Sequence, residues 1–234
     1  MKVFAVELHH YREWTETLGY DREWKIQLAQ SKLSFFVNKF SLRIDAFPLM
    51  TRMDRFLIIA DGIRNSHFKN LFSKLKEYSP VELRGCMGYG RNFLEAEQVA
   101  SKCLNELRPG ELEVLDHPDS KVVAIHADVD SFTELTERSS IYSSFRRSME
   151  VMVELQRIAE GHGSLVQYLG GDNFMIFSSL DEFRGILEAP LNEVKFGVGI
   201  CENPRCAVSK ATEALTRIRE TRDSKWKVIE NVRS

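Results

Sequence analysis

The chain has 234 residues, 43% of them hydrophobic and 28% charged, with a formal net charge of −2. That is the composition of a folded globular protein, long enough for one large domain or two of roughly 100–120 residues. The charge excludes a global basic field that would recruit nucleic acid or an anionic membrane. No apolar run approaches the ~20 residues of a membrane span, and the short run in "MKVFAVELHH" is no signal peptide. We therefore expect a cytoplasmic protein.

The first element is a strand over Val3 to Leu8. A long helix follows, with Ile26, Ala29, Leu33, Phe36 and Phe40 at helical spacing. Pro48 to Met53 and Phe56 to Ala60 read as a hairpin around Met53-Asp54-Arg55. His67 to Tyr78 is a helix stopped by Pro80, Val81 to Gly88 a strand, and Asn92 to Leu107 a closing helix. "RPGELEVLDHPDS" carries the Pro-Gly and Pro-Asp signals of a boundary. The order then repeats: a strand over Val122 to Val129, and a helix to about Gly161 with Phe145, Met149, Met152, Leu155 and Ile158 facing inward. After these come a hairpin of Leu165 to Leu169 and Phe174 to Ser178, a short helix near Glu182, a strand near Val194 to Ile200, and a helix from Arg205 to Arg219. Cys86, Cys103, Cys201 and Cys206 form no CxxC pair, so we expect buried free thiols and no structural zinc.

The repetition is visible in the letters as well. "KVFAVELHH" matches "KVVAIHADV" from Lys121, "LMTRMDRFLIIAD" matches "VQYLGGDNFMIFSS", and "GCMGYGRNFLEAEQVASKCLNELR" matches "GVGICENPRCAVSKATEALTRIR". The three matches fall in one order, at offsets of 119, 118 and 111 (Lys2 on Lys121, Asp54 on Asp172, Gly88 on Gly199), which indicates an internal duplication. A β-α-β-β-α-β order is ferredoxin-like. We expect an α+β protein of two tandem ferredoxin-like (palm) domains, each an antiparallel sheet with helices packed on one face. Residues 1–113 form the N-terminal palm and 119–234 the C-terminal one.

In this topology the end of the strand carrying Asp128 meets the hairpin turn carrying Asp172. His126, Asp128 and, if the strand persists, Asp130 share a side. Converging carboxylates repel unless a cation neutralises them, and hard oxygen ligands suit Mg²⁺ or Mn²⁺. Gly170 and Gly171 permit a tight hairpin and leave room for a ligand. The loop after Asp128, "VDSFTELTERSS", precedes a helix, and its free amides could cradle phosphate. Taken singly, each motif has an ordinary reading: Gly-Gly-Asp as a turn, Asp-x-Asp as a strand cap. The N-terminal copy lacks the full set, with His9 where the other has Asp128 and Arg52-Met53-Asp54 in place of Gly-Gly-Asp.

These residues resemble a known superfamily, the palms of class III nucleotidyl cyclases and GGDEF diguanylate cyclases, through "ADVDSF", "GGDNF" and the closing "ATEALTRIR". Nearly the whole chain resembles the archaeal GTP cyclohydrolase III family. The resemblance is carried by "YREWT", "TRMD", His126-x-Asp128, "GGDNFM", "GVGI" and Arg219. It implies a Mg²⁺-dependent, K⁺-stimulated hydrolase acting on GTP. Such an enzyme opens the guanine imidazole ring and removes phosphate, giving 2-amino-5-formylamino-6-ribosylamino-4(3H)-pyrimidinone 5′-monophosphate, a precursor for flavin and deazaflavin biosynthesis. Asp128, Asp172 and the Val129 backbone, with Asp130, would hold two or more Mg²⁺ ions, or Mn²⁺. Ser131, Phe132, Thr133, Gly170, Gly171, Asn173, Lys210 and Arg219 would bind substrate. His126 is a candidate proton carrier, or else a strand histidine satisfied by backbone. Arg52 and Asp54 either read guanine or pair with each other, and Tyr11 and Trp14 either pack in the core or stack near the base. The family often has Asp where this chain has His9, so no role carries over to that position. We expect a homo-oligomer, dimer or tetramer, with GTP as its ligand. The competing readings are a nucleotidyl cyclase or cyclic-dinucleotide synthase, and a non-catalytic nucleotide-binding palm.

Overall fold

The computed structural model describes residues 1–130, 132–191, 193–222 and 224–231. It divides into two compact units, residues 1–91 with 95–119 and residues 92–94 with 120–234. Among the described residues no helix is long and apolar enough to cross a membrane.

In the first unit, β1 (Lys2–Leu8), β2 (Phe47–Leu49), β3 (Arg55–Ile59), β4 (Leu83–Tyr89) and β5 (Leu112–Glu113) form a sheet of order β2-β3-β1-β4-β5. Its helices are α1 (Tyr11–Glu16), α2 (Arg22–Arg43), α3 (Asn65–Lys76) and α4 (Phe93–Glu106). The second unit holds β6 (Val122–Val129), β7 (Leu165–Gly170), β8 (Asn173–Ser178), β9 (Val194–Cys201) and β10 (Trp226–Glu230), in the order β10-β9-β6-β8-β7. Its helices are α5 (Phe132–Arg138), α6 (Ile141–Gly161), α7 (Phe183–Leu187) and α8 (Pro204–Thr221).

The α+β class and the ferredoxin-like strand order are as expected. Two short edge strands add to it: β5 parallel to β4, and β10 parallel to β9. The helices, however, cover both faces of each sheet. Phe4, Val6 and Leu8 of β1 face Leu33 and Val37 of α2 and Phe68 and Leu75 of α3. Ala5, of opposite parity, lies with Cys86, Ala100 and Leu104 under α4. In the second unit Val123, Ile125, Ala127 and Val129 pack with Val151, Leu155 and Ala159 of α6 and Phe183 of α7. On the other side α8 lies against Gly197 and Gly199 of β9, where an added Cβ would sit 2.2 Å from the Ala211 carbonyl and 2.0 Å from that of Ala207. Both faces of each central strand are apolar, so each needs a cover; glycine lets the helix backbone approach directly.

Two finer expectations are corrected. The buried residues of α6 are Ser144, Ser148, Val151, Leu155 and Ala159: Leu155 faces inward as expected, and Met152 and Ile158 pack against the core at the margin of the stripe, but Phe145 is exposed. Small serines face inward because Ser148 Oγ donates to the Gly171 carbonyl (2.6 Å), bringing the helix against the hairpin turn. The cysteines are not free thiols. Cys86 pairs with Cys103 and Cys201 with Cys206, at Cα separations of 6.2 and 5.7 Å that suit a disulfide. Each bond ties a strand to the helix following it, a proximity hidden from spacing alone.

Candidate functional site

Asp128 lies near the C-terminal end of β6, 6% exposed, between Asn173 on β8 and Lys195 on β9. Its carboxylate accepts from Arg219 of α8, from Nε at 3.3 Å and from Nη2 more closely. Asp130, just past the strand, accepts from Lys195 Nζ at 2.5 Å. Asp172 sits in the β7–β8 turn, whose Gly170 and Gly171 have φ of 117° and 59°. An added Cβ at either glycine would meet nothing within 4 Å, so conformation and open space, not crowding, call for glycine there. The Val129 N–H donates to the Asp172 carbonyl (3.1 Å), docking the turn onto the strand end.

Burial raises the Asp172 carboxyl above the usual range, and the charge of Asp128 adds to this. His126 is held below its ordinary value, chiefly by burial. Its Nε2 lies 2.9 Å from Asn173 Oδ1 and its Nδ1 3.4 Å from Thr212 Oγ1. It is therefore satisfied by side chains, not by backbone. The expected pair of motifs thus comes together: His126, Asp128, Asp172, Asn173 and Arg219 share one edge of one sheet.

Other expected residues fall elsewhere. Ser131 lies outside the described residues. Phe132 packs on the second core and Thr133 is exposed at the start of α5. Lys210 pairs with Glu213 (2.9 Å) beside Gly199, four positions along β9 from Lys195. Arg52 and Asp54 form a two-pronged pair in the first unit, at 2.9 Å for each contact. Tyr11 packs against the first core and accepts from Gln30 (2.9 Å), with the Trp14 ring 5.4 Å away.

Sequence reasoning missed a cleft of about 620 Å³ that opens beside Asp130 and is lined also by Ser139, Ser143, Arg146, Arg147 and Glu193. Arg147 donates to Glu193 (2.8 Å) and reaches Glu150 (3.4 Å). The adjacent Arg146 and Arg147 of α6 were the available signal in the sequence.

The oxygen-only donor set fits a hard divalent ion such as Mg²⁺. In this arrangement Arg219 and Lys195 occupy the carboxylates as stand-in cations. Asp128, Asp130 and Asp172 do not bring three ligand atoms within 4.8 Å of one another; among the described residues only Cys86, Cys103 and Glu113 do. That second group is no match for a metal, because its two sulfurs are bonded to each other. Closing the carboxylates on one ion thus requires at least one to leave its basic partner.

The sheet register also corrects the match between the two copies. In the first unit the Leu8 N–H donates to the Asp54 carbonyl (2.9 Å), as Val129 does to Asp172. The His9 N–H donates to Glu82 (2.8 Å), as that of Asp130 does to Glu193 (2.8 Å). Glu7 pairs across with Arg55 and Arg84, as Asp128 does with Asn173 and Lys195. Glu7, not His9, therefore stands where Asp128 does, and His9 matches Asp130. A slip of two residues keeps every apolar side chain on its face, so the letter pattern could not detect it. The first palm keeps a carboxylate at the position of Asp128 but clamps it between Arg55 (2.8 Å) and Arg84 (3.0 Å from Nε).

A profile of the GTP cyclohydrolase III family matches residues 3–231. The chain is 39% identical over 232 residues to GTP cyclohydrolase III of Saccharolobus solfataricus, covering 98% of this chain and 100% of that one. It is 34% identical to the Sulfurisphaera tokodaii protein of the same name, covering 99% of each. Among solved structures, an EAL/GGDEF domain protein from M. capsulatus aligns with 49% of this chain and 88% of its own at 19% identity and a TM-score of 0.39, too low to bear on function. On the profile match and the full-length relatives, the chain belongs to the GTP cyclohydrolase III family.

Proposed function

We propose that the chain is a metal-dependent GTP hydrolase that opens the guanine imidazole ring and trims the triphosphate, leaving 2-amino-5-formylamino-6-ribosylamino-4(3H)-pyrimidinone 5′-monophosphate. The observation that carries the reading is the docking of the Asp172 turn onto the strand end that carries Asp128, with Asp130 just beyond it lining a cleft large enough for a nucleotide. Asp128, Asp172 and the Val129 carbonyl, joined by Asp130, are the residues that would hold Mg²⁺ or Mn²⁺, in two or more ions; K⁺ activation belongs to the same reading. A divalent ion bound there supplies charge neutralisation for the triphosphate and an activated water.

The side chains do the rest. Arg219 and Lys195, freed from their carboxylates, are placed to take phosphate oxygens. Gly170 and Gly171 leave the turn open to the phosphates, and Phe132 and Thr133 begin the helix flanking them. In the cleft Glu193 and Glu150 offer acceptors for the N1–H and 2-amino group of guanine, while Arg147 holds both carboxylates in place. Water adds at C8 and the C8–N9 bond breaks, leaving the formyl group on N7.

Incubation with GTP and Mg²⁺ tests the reading. Loss of the purine absorbance with release of orthophosphate is expected; intact purine with pyrophosphate would mark a nucleotidyl cyclase instead. The exposed Trp24, Leu28, Phe35 and Leu42 of α2, the last three at seven-residue intervals, support a self-associating enzyme. A monomeric mass by light scattering would refute the self-association.

A further inference from the structure

The Asn173 side chain bridges two of its neighbours, Asp172 and His126. Its side-chain nitrogen lies 2.5 Å from Asp172 Oδ1. A carboxylate only accepts, so the nitrogen donates and the amide cannot be flipped. Asn173 Oδ1 is then the acceptor facing His126 Nε2 at 2.9 Å. His126 therefore carries its proton on Nε2, and its bare Nδ1 faces the Thr212 hydroxyl at 3.4 Å. Thr212 comes within reach because Gly197, directly opposite His126 in the sheet, lets α8 lie close.

We propose that His126, backed by Thr212, is a positioning residue: it fixes Asn173, which fixes the Asp172 carboxylate for the metal. This rests on the reading of Asp172 as a metal ligand. It also removes His126 from proton transfer, since its one N–H is committed to Asn173 and its bare nitrogen faces Thr212.

Nitrogen NMR of the full-length, metal-free protein at pH 7.5 reads the tautomer directly, and titration with Mn²⁺ alone, followed by electron paramagnetic resonance, reads the site without turnover. We expect the Nε2–H form in the wild type. Loss of an outer partner weakens metal binding by roughly 10- to 100-fold, so His126→Ala and Asn173→Ala should weaken Mn²⁺ binding on that scale. His126→Gln, which keeps a donor for Asn173, should restore most of it. An Nδ1–H tautomer overturns the proposal. So does Mn²⁺ binding unchanged in His126→Ala when Asp172→Ala has lost it. If Asp172→Ala binds Mn²⁺ like the wild type, the metal reading of Asp172 falls, and the positioning role falls with it. His126→Gln that binds Mn²⁺ normally but has lost kcat would show proton transfer at His126, and likewise refutes the relay.

Discussion

Gly197→Ala tests the link between helix packing and the site. A Cβ added at Gly197 would lie 2.2 Å from the Ala211 carbonyl oxygen and 2.5 Å from the Leu215 nitrogen. Ordinary contact begins at 3.4 Å, a deficit of 1.2 Å at the oxygen, and both obstacles are backbone. Helix α8 must therefore lift by about 1 Å or β9 must bow. Overpacking of this kind costs ~1–3 kcal/mol, and rigid obstacles put it near the upper end. At roughly 2–4 °C per kcal/mol for a chain of this size, the melting temperature should fall by about 6–12 °C. Thr212 and Arg219 ride on α8, and a misplacement of about 1 Å can cost on the order of 100-fold in rate. Calorimetry and kcat/KM for GTP with saturating Mg²⁺ check both effects. A melting temperature within about 2 °C of wild type would refute the close-approach argument. A lowered melting temperature with a rate within about threefold of wild type would refute the claim that α8 sets the site.

The remaining predictions concern the turn, the acidic residues and the cysteines. Gly171 is in the left-handed region, so Gly171→Ala should cost roughly 1–2 kcal/mol and Gly171→Asn less; Gly170→Ala, at φ 117°, should cost more than either. Equal denaturant midpoints for the Gly170 and Gly171 variants would contradict this. Asp172→Asn should abolish turnover yet stabilise the metal-free protein at pH 7. Its folded-state pKa is raised, so the folded chain holds the proton more tightly than the unfolded one, and stability falls as pH rises through that range. The variant's advantage should shrink as pH falls through the raised range and be gone below the unfolded-chain value of about 3.9; a variant less stable than wild type at pH 7 would reverse the sign of the argument. Glu7→Gln strands Arg55 and Arg84 and should cost roughly 2–3 kcal/mol, less than for a fully buried ion pair because Arg55 is 38% exposed; an unchanged melting temperature would show that the triad is no clamp. Alkylation of the denatured protein should label no cysteine before reduction and all of Cys86, Cys103, Cys201 and Cys206 after it; labelling without reductant would restore the free-thiol reading.

The amino-acid pattern alone determined the duplication, the strand order and the pair of motifs at Asp128 and Asp172. Each of these is written in local periodicity: alternation along strands, 3.6-residue spacing along helices, and glycine where a turn needs positive φ. The helix α6 was legible at its C-terminal half, where Leu155 faces inward, but not in its first turns, where Ser144 and Ser148 face inward although they look polar; Ser148 gains its place from the Gly171 carbonyl. What tertiary structure decided are the matters of which groups face each other. Register, fixed by backbone hydrogen bonds, assigned Glu7 and not His9 to the position of Asp128, since a two-residue slip leaves the apolar pattern unchanged. Strand–helix proximity paired the cysteines and brought Thr212 and Arg219 to the strand end across 86 and 91 residues of chain. The cleft beside Asp130 draws its lining from α5, α6 and the approach to β9, segments that no motif connects.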